Sequence, residues 1–151
     1  MLIYFGADHR GFNLKEYLKD FVKNEGYEIF DMGAKAVDKD DDYPDYARLV
    51  GEKITMDPDG CRGILICGSG AGMDIAANKI PRVRAALGMN PDQVMSARHD
   101  DNANVLVLAA DFTPEDIAAK ITKVFLSTPF AGEERFQRRI DKIGEIERGT
   151  R

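Results

Sequence analysis

Long apolar runs and an excess of basic charge are both missing from this chain. Lys plus Arg number 21 against 26 Asp plus Glu, giving a net charge of −5 over 151 residues. A balance of that sign offers no electrostatic footprint for nucleic acid or for an anionic membrane surface. No stretch approaches the roughly 20 apolar residues a membrane-spanning helix needs. The N-terminus passes from Met1 straight into a strand-like segment, where a secretion signal would be basic and then apolar. The expectation is a cytoplasmic protein with a small ligand, binding neither nucleic acid nor membrane. Cysteine is scarce too: Cys61 and Cys67 are the only two. In an extended segment they stand about 20 Å apart, too far for a disulfide. Repeats, low-complexity tracts and linker-like shifts in composition are absent, and the length suits one domain over 1–151 with a single core.

Five short apolar runs are present, at 2–5, 27–30, 63–66, 83–87 and 105–108. They lack strict polar alternation, as strands covered on both faces do. Segments of helical period lie between them. Leu14, Tyr17, Leu18, Phe21 and Val22 make one inward face. Ile117, Ile121, Val124 and Phe125 make another, after the cap-like Thr113 and a first-turn Pro114. Alternation of strands and helices predicts a doubly wound, five-stranded parallel sheet in three layers, with ligands beyond the strand carboxyl ends. The acidic run over 38–42 reads as a solvated loop. A charged C-terminal helix carries Phe136, Ile140 and Ile143 on one stripe, which suits packing on its own domain or on a partner subunit, the latter being the expectation for an oligomer.

The densest chemical signal runs from Gly63 to Lys79: a buried strand, a glycine loop, then a helix. Gly68, Gly70 and Gly72 let backbone N–H groups line up toward an anion. Met73 stands where the dinucleotide fingerprint needs a small residue, and no Gly-Lys-Ser/Thr ends the loop, so the usual nucleotide loops are excluded. Cys67 sits where strand becomes loop, a place where helix dipole and free amides favour thiolate. Cys61, ahead of the strand, reads as structural. Asp8-His9-Arg10 follows the first strand and opens on the same sheet edge if the strands are parallel. On the last helix Arg135 and Arg139 repel as i, i+4 neighbours, and neither has an acid three or four residues away. Pairing with a phosphate or with distant acids would relieve them equally well. The segment Arg98-His-Asp-Asp-Asn-Ala-Asn104 carries His99, which with His9 completes the imidazoles of the chain.

Taken together, Gly6-Ala-Asp-His9, Leu14-Lys15, Asp42-Tyr-Pro44, Ile66-Cys-Gly-Ser-Gly70 through Ile75-Ala-Ala-Asn-Lys79, Asn104-Val-Leu106 and the stretch from Arg135 to Glu147 resemble the type B ribose-5-phosphate isomerases and galactose-6-phosphate isomerase subunits. The resemblance implies a Rossmann-like fold, homodimers or homotetramers with shared active sites, no metal and no organic cofactor. It implies Cys67 as the proton-transferring base. Ser69 and the loop at Gly68, Gly70, Ala71 and Gly72 would meet the O1/O2 end of a phosphorylated sugar, with Tyr43 nearby. Asp8 would assist binding or ring opening; His9, Arg135 and Arg139 would hold the phosphate, with Arg10 beside them. One branch of the family uses a glutamate six residues after the cysteine; Met73 at that place marks the cysteine branch.

Two departures stand out. The family's Arg-x-His-Asn-Asp-x-Asn-Val becomes Arg98-His-Asp-Asp-Asn-Ala-Asn-Val105, which puts Asp100 at the ring-opening histidine and Asp101 at the asparagine. His99 or Asp100 is then the candidate for ring opening. Phe136 replaces a histidine that often follows the first phosphate arginine. The expected activity is an aldose–ketose isomerase of the ribose 5-phosphate type. A tetrose or hexose phosphate, or a non-catalytic phosphosugar-binding subunit of a hetero-oligomer, is the alternative.

Overall fold

The structure is a computed structural model that describes residues 1–149. Its strands are β1 (Leu2–Ala7), β2 (Glu28–Asp31), β3 (Cys61–Cys67), β4 (Ala85–Leu87) and β5 (Val105–Ala109). Its helices are α1 (Phe12–Asn24), α2 (Tyr43–Met56), α3 (Ala71–Ala77), α4 (Pro91–Asp101), α5 (Glu115–Ser127) and α6 (Glu134–Glu147). The five strands form one parallel sheet in the order β2-β1-β3-β5-β4. The expected doubly wound three-layer architecture is therefore present, with β3 at its centre. The strand order reverses between β1 and β3, so the loops leaving those two strands flank the crevice where such sheets bind ligands.

Why the apolar runs hid their alternation is plain from the two cores. Ile64, Ile66, Leu106 and Leu108 pack on one face with Ile3, Phe5, Leu14, Leu18, Ile121 and Phe125. Leu65, Cys67, Val105 and Val107 pack on the other with Val50, Ile54 and Met73. The strand period of two persists, but both phases are buried and both must be apolar. Cys67 thus lies on the α2/α3 side of the sheet.

The runs differ from the strands at both edges. The second strand is shifted to Glu28–Asp31 and alternates in exposure, as an edge strand does. The fourth is shortened to Ala85–Leu87, because the Val83 amide is used in a turn to the Ile80 carbonyl at 3.1 Å. On α1 the inward face also departs from expectation. Tyr17 is exposed, while Lys15 is fully buried, its Nζ 2.8 and 2.7 Å from the two Asp31 carboxylate oxygens and 2.7 Å from the Ala34 carbonyl. That pairing holds the Asp31 carboxyl down at about 2 against the cost of its own burial. Thr113 does not cap α5: Pro114 occupies the cap position and no side chain bonds the first turn. Within the chain α6 lies against α4, with Phe136 buried at that contact, while Ile143 on the same stripe stays exposed. Among the described residues no helix is long and apolar enough to cross a membrane.

Candidate active site

Cys67 is the last residue of β3 and is 4 % exposed. Its carbonyl accepts from the Ala110 amide at 2.9 Å and the next carbonyl, Gly68, from Asp111 at 3.1 Å, which ties the β3 and β5 ends together. Gly70 takes a left-handed φ of 76°, turning the chain so that α3 begins at once. A side chain there would also strike Leu87. The turn aims the amides of Gly70 and Met73 at the Cys67 sulfur. Ser69 and Ala71 are exposed on the outer rim of the loop.

The loop is lined from two sides by residues the sequence singled out. A Cβ on Gly68 would collide with the Arg10 guanidinium, and one on Gly72 would lie 2.6 Å from the Tyr43 ring. Arg10 therefore lies over the start of the loop and Tyr43 over its end. Arg10 follows β1; Tyr43 is the first residue of α2 and is half exposed. Asp8 is buried and uses Oδ1 to accept the amides of Arg10 and Gly11, each at 3.0 Å, which fixes the turn into α1. Arg10 is held by an ion pair with Asp111 beyond β5.

Two members of this edge escaped the sequence reading. Asp111 is one. The other is Asp41, within the run taken for a solvated loop: its side chain is only 5 % exposed and its Oδ1 lies 2.6 Å from His9 Nδ1. The partners are 32 residues apart, so no local pattern announces the pair. Asp8, His9 and Asp41 also form the one group of three potential metal ligands among the described residues, with atoms within 4.8 Å of each other. In that grouping Oδ1 of Asp8 and Oδ1 of Asp41 are engaged in hydrogen bonds, while Asp41 Oδ2 is buried with no hydrogen-bond partner.

The remaining predicted residues gather elsewhere. Val105 pairs with Gly63 and Ala109 with Cys67, so the entrance to β5 lies about 13 Å down the sheet from the cysteine. Helix α4 runs back to that entrance, bringing His99, Asp100 and Asp101 to the opposite edge. There His99 Nδ1 lies 2.7 Å from Asp100 Oδ1, the ring meets Phe136 edge-on at 5.9 Å, and the His99 carbonyl accepts from Ala131 just ahead of α6. The guanidinium groups of Arg135 and Arg139 lie 4.4 and 5.7 Å from the Phe136 ring centre. Arg135 does have a local acid, Glu133 at 2.7 Å, two residues ahead rather than three or four. Asp101 does not join His99 and Asp100; it lines a separate groove with Arg84 and Ile143. A cavity of about 570 Å³ between α6 and the loop before β3 holds none of the predicted residues.

The electrostatics of Cys67 differ from the sequence expectation of a favoured thiolate. Burial pushes its thiol up from 9.0, with the Asp8 charge adding to the rise, while the Met73 and Gly70 amides and Arg10 act the other way. Cys61 is raised as well, by burial and then by Asp57, and its Sγ lies 2.9 Å from the Asp57 carbonyl, in keeping with a structural role.

Fold and loop together define an α/β protein with a cysteine and a glycine loop at the carboxyl edge of a parallel sheet, the edge where sheets of this kind bind small ligands. Comparison with known proteins narrows the class. Residues 3–143 match the Ribose/Galactose Isomerase family. The ribose-5-phosphate isomerase B of Mycobacterium tuberculosis is 38 % identical over 148 residues, covering 98 % of this chain and 91 % of the relative. The crystal structure of ribose-5-phosphate isomerase B from Mycoplasma genitalium with bound ribulose-5-phosphate superposes with a TM-score of 0.95 at 42 % identity, over 99 % of this chain and 97 % of that one. The Clostridium thermocellum enzyme does so with 0.93 at 40 % identity, over 99 % of each chain. The chain belongs to the ribose/galactose isomerase family, and it is an isomerase.

Proposed function

We propose that the chain interconverts ribose 5-phosphate and ribulose 5-phosphate in the cytosol, as a homodimer or homotetramer, with neither metal nor organic cofactor. The observation that carries the reading is Cys67, held at the central strand end under the Gly70 and Met73 amides and between Asp8 and Arg10. The reading is supported by a relative of 42 % identity whose crystal structure has ribulose-5-phosphate bound.

The chemistry moves one proton between adjacent carbons. The Cys67 thiolate takes the proton from C2 of the open-chain aldose, and the C–H electron pair becomes the C1=C2 bond of an enediolate with its charge on O1. Amides of the loop from Gly68 to Gly72 would meet that charge as it develops, where loss of one comparable donor costs about 10²–10³ in rate. The thiol then returns the proton to C1, while the proton on O2 leaves and one is gained at O1, giving the ketose. Binding of the phosphate away from the reacting carbons supplies orientation.

The distance between the two clusters supports shared sites. Cys67, Asp8, His9 and Tyr43 lie at one sheet edge, and His99, Asp100, Arg135 and Arg139 at the other. A site containing both needs a second copy, with each chain supplying the opposite half to its neighbour.

Cys67→Ala tests the assignment. The variant should lose isomerisation to below about 1 % of wild type, as loss of a proton-transferring group does, while its melting temperature and affinity for inorganic phosphate stay close to wild type. Retention of more than a few per cent of the rate would remove Cys67 as the base.

A further inference from the structure

Asp41 has the geometry of a residue that works through another. Its Oδ1 accepts from the His9 backbone N–H at 3.2 Å and lies 2.6 Å from the His9 ring nitrogen Nδ1, so one oxygen fixes both the main chain and the imidazole. The Asp41 side chain is almost closed to solvent, whereas 27 % of the His9 side chain is exposed. The pair is therefore open on the histidine side only. Tyr46 closes the other side: its phenol is pushed up, first by burial and then by the Asp41 charge. With Nδ1 committed to a carboxylate, Nε2 is the nitrogen left for a ligand, and an imidazole whose Nδ1 carries the proton has Nε2 free to take another.

We propose that Asp41 is the positioning residue for His9, holding Nδ1–H and presenting Nε2 to the phosphate of the bound sugar. The proposal rests on the sugar-phosphate reading above and assigns the reason a histidine, rather than a third arginine, can serve there. Nε2 takes a proton from solvent and donates it to a phosphate oxygen, while Asp41 keeps the opposite N–H. Phosphate and carboxylate then occupy opposite nitrogens of one imidazolium, each through a charge-assisted hydrogen bond. The ring cannot turn away without breaking the bond to Asp41, so it is preorganised before substrate arrives.

The test reads the ring nitrogens directly. The chain has only two histidines, so the ¹⁵N signals of His9 are assigned by comparison with His99→Ala. In the free wild-type enzyme with its imidazole neutral, His9 should be the Nδ1–H tautomer. In Asp41→Ala it should revert to Nε2–H, the form favoured by free imidazole. In kinetics, Asp41→Ala should raise KM for ribose 5-phosphate by about tenfold or more, the loss expected for one charge-assisted hydrogen bond, with kcat changed by less than about threefold. The isosteric Asp41→Asn, whose amide oxygen can still accept from Nδ1, should recover part of the KM. An Nε2–H tautomer in wild type would overturn the proposal, as would an unchanged KM in a folded Asp41→Ala variant. The tautomer needs no substrate, so a failure of the functional reading shows in wild-type turnover and a failure of Asp41 shows in the ring nitrogens.

Discussion

At the scale of single residues, Cys67 is subject to two opposed influences. Burial and the Asp8 charge favour the neutral thiol, while the Gly70 and Met73 amides and the Arg10 guanidinium favour the thiolate. Burial wins, so the reactive form is the minor one near neutrality. The sign of the pH dependence follows. Below the thiol's pKa the thiolate fraction grows about tenfold per pH unit, so log kcat/KM should climb with a slope of about one between roughly pH 7 and pH 9, where the substrate phosphate is already a dianion. Steady-state rates across that window, with Arg10→Ala in parallel, provide the check. Arg10→Ala removes a charge that lowers the pKa and should move the whole curve to higher pH. A wild-type plateau that begins below pH 7 would mean that loop and guanidinium outweigh burial.

At the scale of elements, the strands and helices were legible because their causes are local. Five apolar runs, helical spacing between them and a glycine loop suffice for a doubly wound sheet, and the sheet then decides which loops share an edge. What escaped depends on contacts across long separations. Lys15 is buried at a position that helical period assigns to the surface, because Asp31 and the Ala34 carbonyl meet its ammonium under the helix. Asp41 looks like any residue of an acidic loop until His9 is folded against it. Some motif residues turn out to be structural. Asn78 bonds the Ala85 carbonyl and amide at 3.1 and 2.9 Å, and Asn104 accepts the Arg84 amide at 2.8 Å, so two asparagines hold the short strand β4 in place. Arg98 is buried at the end of α4, joining Asn102, Ala103 and Thr128.

The last turn of α4 is where this local order meets substrate choice. Asp100, the residue at the ring-opening histidine position, is hydrogen-bonded to its neighbour His99, while Asp101 turns toward α6. An imidazole can give and take a proton near neutrality, and a carboxyl side chain is the poorer general acid for opening a sugar ring. A tetrose 4-phosphate cannot close a five-membered ring, because the hydroxyl it would use is esterified, and it needs no such acid. Relative to type B ribose-5-phosphate isomerases that carry the histidine, the ratio of tetrose 4-phosphate to ribose 5-phosphate turnover should therefore be higher, and Asp100→His with Asp101→Asn should raise turnover of ribose 5-phosphate. Equal wild-type rates on both sugars, with His99→Ala slowing only ribose 5-phosphate, would assign ring opening to His99 instead.

At the scale of the whole molecule, the sheet itself separates the halves of the proposed site. The Cys67 edge and the Arg135/Arg139 edge are joined by rigid, fully buried strands, so no rearrangement of one chain short of unfolding brings them together. If each site draws the cysteine from one copy and the two arginines from another, defects in the halves must complement. Cys67→Ala and the double variant Arg135→Ala/Arg139→Ala should each be nearly inactive alone at low ribose 5-phosphate. Mixed in equal amounts and allowed to exchange subunits, half of the dimers carry one copy of each kind. Every such dimer has one site with all groups and one site with neither, so about a quarter of all sites are restored. Recovery of activity toward that fraction as exchange proceeds, followed by native mass spectrometry alongside the rate, is the expected outcome. Full exchange with no gain in rate would place cysteine and arginines in the same chain's site, or remove the arginines from it. A kcat/KM for the arginine variant close to wild type would show that Phe136 and Glu133 account for those side chains without any phosphate.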